Sequence, residues 1–301
     1  MAALLPTDAV YLAQPGQASF GKPSVWPWLL AGAGLAALYL PTYWAAFNGI
    51  WQTDDMGHGP IILAVLVWLF WGVRHAVFNA PVRPQPWLGW PLFGLGLALY
   101  LLGRVFTISS VEFMSHLLVV AALLLLLRGG KALHAAWFPV LYLIFLAPLP
   151  GTFVDAITAP MKEWISAIVV DVLYQVGYPI ARSGVMITIG QYQLLVADAC
   201  SGLNSMFSLS ALGTLFMFIM KRKSVAHNAV MLAAILPIAF TANIVRVIVL
   251  VLVTYHLGDE AGQGFLHGAA GMVLMLVALA FFFLLDTALA ALLRARAVGA
   301  A

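Results

Sequence analysis

Apolar runs long enough to cross a bilayer recur along this chain, near residues 26–46, 60–78, 88–106, 113–128, 132–149, 201–220, 226–253 and 267–287. A hydrocarbon core takes about 20 mostly apolar residues in a helix. With no water inside lipid, a helix is one of two backbone forms that satisfy every peptide group there. Composition agrees: 63% of the 301 residues are hydrophobic and 8% charged, against roughly 45–50% and 25% in soluble domains. The fold class expected is an all-α polytopic membrane protein of about eight transmembrane helices, one integral-membrane domain over residues 1–301. Arg104 and Glu112 crowd the connection between the third and fourth runs, where a re-entrant hairpin fits about as well as two full crossings.

Eight spans put both termini on one side, and the basic residues choose it. Lys22, Arg74, Arg83, Arg128, Lys131, Lys221, Arg222, Lys223, Arg294 and Arg296 then face the cytoplasm, as does the 1–25 segment. Across the membrane stand Arg104, Lys162 and Arg182 among nine carboxylates. The net charge of +3 and the single short basic run Lys221-Arg222-Lys223 give no footprint for nucleic acid. Residues 1–25 lack the charged start and apolar centre of a cleavable signal.

Residues 150–199 form the one long outer segment. Ile157, Met161, Trp164, Ile165, Ile168, Val172 and Val176 recur at three- and four-residue steps, which predicts an interfacial helix. Alternation through Val185, Ile187 and Ile189, a turn at Gly190-Gln191, and alternation through Tyr192, Leu194 and Val196 predict a small hairpin. That hairpin leads directly to Cys200.

Cys200 is the chain's only cysteine, so intrachain disulfides and thiolate metal clusters are excluded. It stands at the entry to the sixth span in VADACSGLNSMF. There Asp198 or Ser201 can cap exposed N–H groups, and the positive end of the helix dipole favours thiolate over thiol. Gly202 leaves room for a substrate backbone. A lone membrane cysteine is ordinarily a packed small residue; what distinguishes Cys200 is its company. Arg246 lies well inside the seventh run, where a charge is costly and commonly marks a functional site. Its outer end is within snorkelling reach, and Asn243, three residues earlier on the same helical face, can orient the guanidinium. His267 opens the eighth run between Gly264 and Gly268, with a pKa suited to proton transfer. The three spans bring Cys200, Arg246 and His267 to one outer level. Asp54, Asp55 and His58 in WQTDDMGHGP read as a substrate rim or a structural turn, and His256 without a spaced carboxylate does not make a metal site. No cofactor or metal is expected.

Asp198-Ala199-Cys200-Ser201-Gly202, Asn243-Ile244-Val245-Arg246 and His267 in LHG resemble the exosortase/archaeosortase family of multi-span membrane enzymes, in which Cys, Arg and His follow in this order at the outer ends of late spans. The resemblance runs from the WQTDDMGHG loop to His267 and is greatest to the B-type exosortases of Gram-negative bacteria. It implies a cysteine protease or transpeptidase of the cell inner membrane with its site facing the periplasm. Its substrates would be membrane-tethered proteins bearing C-terminal PEP-CTERM sorting signals, cleaved through a thioacyl-enzyme in connection with surface sorting and exopolysaccharide. By the resemblance Cys200 is the nucleophile, Arg246 the oxyanion donor and His267 the acid-base. Where many members carry arginine after CSGL, this chain has Asn204, so a second arginine has no counterpart here. The rival reading is a transporter or polysaccharide-export component without covalent catalysis, but neither paired broken helices nor an internal repeat supports it.

Overall fold

A computed structural model describes residues 25–53, 56–148, 151–195 and 202–299. The protein is an all-α polytopic membrane protein. Among the described residues, six helices are long and apolar enough to cross a bilayer by length and composition. Four form the first half: α1 (Trp26–Phe47), α2 (Gly59–Phe78), α3 (Pro86–Val105) and α4 (Ser109–Leu127). Prolines at the first positions of α1, α2 and α3 suit sites whose N–H would lack a partner anyway.

The third and fourth runs are two helices of 20 and 19 residues, each long enough to cross. The charges that crowd their connection pair with each other, Arg104 Nη1 donating to Glu112 Oε1 at 3.3 Å. A Cβ on Gly103 would stand 2.5 Å from the backbone N of Glu112, so only glycine allows so close an approach. The fifth run differs from the expected continuous span. It is broken into α5 (Gly130–Ala135), α6 (Trp137–Tyr142) and a 3-10 turn at Leu143–Leu146. Apolar content marked this run as a span, but hydropathy is blind to such breaks.

After the 3-10 turn the chain forms α7 (Gly151–Gln175) and a three-stranded antiparallel meander, β1 (Ile180–Ser183), β2 (Met186–Ile189) and β3 (Tyr192–Leu195). The expected hairpin is β2–β3, with Ile189 opposite Tyr192 around Gly190, whose φ is +56°. β1 adds a strand that the alternation did not announce, because IARS carries little apolar signal. Of the expected apolar stripe on α7, Ile165 is buried with Val169 and Leu173, whereas Trp164, Ile168 and Val172 remain exposed on the adjoining face. The buried face, the sheet and Val247, Leu250 and Val251 form one core.

The remaining helices are α8 (Gly202–Met220), α9 (Val225–Leu257), α10 (Asp259–Gly268) and α11 (Ala270–Gly299). α8, α9 and α11 share a core through Leu209, Ile235, Ala239, Ala242, Ala278 and Phe282. Gly213 is required there, since a Cβ would meet Phe282 at 2.6 Å. At the Lys221-bearing end, Asp286 of α11 is 2% exposed. It accepts from Arg222 through both oxygens, Nε to Oδ1 at 3.0 Å and Nη2 to Oδ2, and pairs with His227 Nε2 at 2.8 Å. One carboxylate thus ties α11 to α9 and to the turn before it. Breaking a buried ion pair commonly costs about 3–5 kcal/mol, but Arg222 is 35% exposed and can turn to water. Asp286→Ala is therefore expected to lower stability by about 1–3 kcal/mol, the cost of unmade buried hydrogen bonds. A thermal melt in detergent checks this, and an unchanged midpoint would show the tie to be energetically idle.

Candidate active site

The expected site residues fall on or beside α8, α9 and α10. Asp198, Cys200 and Ser201 lie outside the described residues. α8 is described from Gly202, two positions after Cys200. His267 is the ninth residue of α10, and of its position only the helical backbone is described.

α10 is a finding beyond the eight-run reading. His267 was expected to open the eighth span, but it ends a separate ten-residue helix, with α11 starting three residues later. Hydropathy misses α10 because it is short and amphipathic; Asp259 and Glu260 in its first turn are the visible signal, carboxylates favoured at the positive end of a helix. The chain reverses from α9 into α10 at Gly258, whose φ is +93°. Gly262 then presses against Thr254, where an added Cβ would stand 2.2 Å from Oγ1. Thr254 is fully buried, and its hydroxyl donates to Leu250 O at 3.0 Å. These contacts fix the direction in which α10 carries His267.

Arg246 and Asn243 share a face of α9 and are 5% and 4% exposed. α9 continues to Leu257, so the Arg246 Cα lies roughly 16 Å before the helix end at about 1.5 Å per residue. Asn243 Oδ1 is buried without a hydrogen-bond partner among the described residues, so the orienting hydrogen bond expected from the Arg246 guanidinium to Asn243 is not made. A buried unmade acceptor costs about 1–3 kcal/mol, so this oxygen is suited to receive a proton donor from outside the fold. α8 and α10 both pack on α9, which makes α9 the common support of all three candidate segments.

A second buried polar group lies in the first half of the chain. Thr42 Oγ1 of α1 donates to Glu112 Oε1 at 2.5 Å, and Tyr39 Oη lies 2.7 Å from Ser115 Oγ. His116 stacks on Tyr39 with ring centroids 3.4 Å apart. Its signal was legible: Glu112, Ser115 and His116 fall on one face of a span. In the loop before α2, Trp51 Nε1 and His58 Nε2 are buried without partners among the described residues, on either side of Asp54 and Asp55, which are not described. Burial holds the His58 imidazole below its ordinary pKa, favouring the neutral ring.

The transmembrane exosortase family model (Exosortase_EpsH) matches residues 50–284. No match was found among curated proteins or among solved structures. The family match begins beside Trp51, ends beside Asp286, and takes in the segments of Cys200, Arg246 and His267; on that extent, the chain belongs to the transmembrane exosortase family.

Proposed function

We propose that this protein is a membrane-embedded cysteine protease or transpeptidase that cleaves C-terminal PEP-CTERM sorting signals of exported proteins. It works in the cell inner membrane, with cytoplasmic termini and its site toward the periplasm. The observation that carries the reading is Arg246, a buried arginine in the C-terminal half of the helix on which α8 and α10 both pack. Within a family of membrane exosortases, a charge so placed is better used on a reacting group than on the fold alone.

In this reading His267 takes the Cys200 thiol proton, and the thiolate adds to the scissile carbonyl. Arg246 and N–H groups at the start of α8 hold the oxyanion. When the intermediate collapses, the C–N bond breaks, the leaving amine takes the proton from His267, and a thioacyl-enzyme remains. Water or an amine then attacks the thioester and releases Cys200. The substrate's basic tail stays on the cytoplasmic side, which sets its scissile peptide at the outer level.

Co-expression with a protein bearing a Pro-Glu-Pro motif, a membrane helix and a basic tail tests the function. The partner protein is expected to lose its tail only when this chain is present and only with the motif intact. Full-length partner in every case would remove the sorting-signal reading.

A further inference from the structure

α1 and α2 meet at both ends and stand apart in the middle. At one end Trp28 packs edge-on against Phe78 with centroids 4.7 Å apart. At the other, Ala46 shares a core with Ile62. Between these closures lies a side groove of about 570 Å³, walled by Leu35 and Tyr43 of α1 and Leu63 and Phe70 of α2, and floored by His116 and Val120 of α4. This volume lies within the range of small-molecule sites, about 300–1,000 Å³.

The shape selects the occupant. From Leu35 to Tyr43 the groove runs about 12 Å along α1 at the helical rise. Along α2 the lining extends from Leu63 to Phe78, about 22 Å at the helical rise. It is aliphatic and aromatic apart from Arg74 and His116, a long apolar lining suited to an extended hydrocarbon chain.

Charge selects the headgroup. Arg74 lines the groove near its Trp28–Phe78 end, its guanidinium carbon 4.0 Å above the Trp71 ring. Arg128 lies 6.0 Å from the Trp28 ring on the same end. The neighbouring loop 79–85 and the segment 128–136 that contains α5 add Arg83 and Lys131 and contain no carboxylate. Such an end attracts an anionic headgroup and repels a basic peptide tail. We propose that the groove holds one acyl chain of an anionic phospholipid, with its phosphate against Arg74, filling the gap between α1 and α2. This site is independent of the Cys200 chemistry.

The probe is phosphatidylglycerol with a photoreactive acyl chain, compared with the matching phosphatidylcholine, with the full-length protein in phosphatidylcholine vesicles. Crosslinks are expected on residues 35–43 and 63–74, with phosphatidylglycerol favoured about fivefold, as expected for one arginine near the headgroups. Arg74→Gln should remove that preference. Ala36→Trp, at an exposed wall position, should block groove labelling by both lipids while leaving labelling on the outward face of α3 unchanged. Val67→Trp on the opposite wall serves the same purpose should the first variant fail to fold. Equal labelling by the two lipids, or groove labelling that survives the tryptophan variants, would overturn the site. Displacement of the lipid by a membrane-helix peptide with a basic tail, or a rise in labelling on removing residues 1–24, would assign the groove to those occupants and likewise overturn it.

Discussion

Cys200→Ala is expected to leave the sorting-signal protein at full length while the variant inserts and folds normally. The substitution removes one sulfur and introduces no charge, so the membrane helices have no reason to rearrange. Loss of an activated nucleophile typically costs a factor on the order of 10⁶ in rate, and the chain has no second cysteine to substitute. In the proposed mechanism a helix N-terminus beside Cys200 favours the thiolate, and α8 is described from Gly202. Wild-type protein should therefore react with an impermeant thiol reagent added from outside, faster than an unperturbed thiol does. Normal processing by the alanine variant would end the covalent mechanism. Labelling only after the membrane is opened would invert the orientation.

Arg246→Lys is expected to insert normally and bind substrate but to process it at least a hundredfold more slowly. Lysine keeps the charge and a stem of similar length, so a residue that only reaches toward the headgroups would be replaced with little effect. Arginine presents a planar fork, whereas lysine offers a compact, strongly hydrated ammonium that cannot serve two acceptors in one plane. One lost oxyanion donor typically costs about 10²–10³-fold. The measurement is the single-turnover rate at saturating substrate, which separates chemistry from binding. A rate within a few-fold of wild type would reassign the oxyanion to the backbone N–H groups of α8.

Much of the frame could be read from hydropathy because the bilayer imposes one rule, long apolar helices, on every crossing segment. The runs at 60–78 and 88–106 appear as α2 and α3 with ends shifted by one or two residues. The rule is silent where the chain turns inside apolar surroundings. In LHAAWFPVLYLIFL the visible signal is Pro139, which has no N–H for the carbonyl of Ala135 four residues earlier and suits the first turn of a new helix at Trp137; hydropathy alone passes over it. α10 was hidden for the opposite reason, being too polar to register as a span and too short to show a period. At the candidate site, the burial of Arg246 and Asn243 followed from their place in an apolar run. The fit of Gly262 against Thr254, which steers α10, depends on two helices meeting and has no signature in either one alone.

α9 has 33 residues, about 50 Å at the helical rise, against a hydrocarbon thickness of about 30 Å. A helix so much longer than its solvent layer is not held at one height by the lipid, since tilting or sliding relieves the mismatch at modest cost. What holds it is protein: Leu250 and Val251 seated against α7 and the meander at one end, and His227 bound to Asp286 at the other. The height of Arg246 in the membrane is thus a property of the fold rather than of the bilayer, and it would persist in membranes of different thickness.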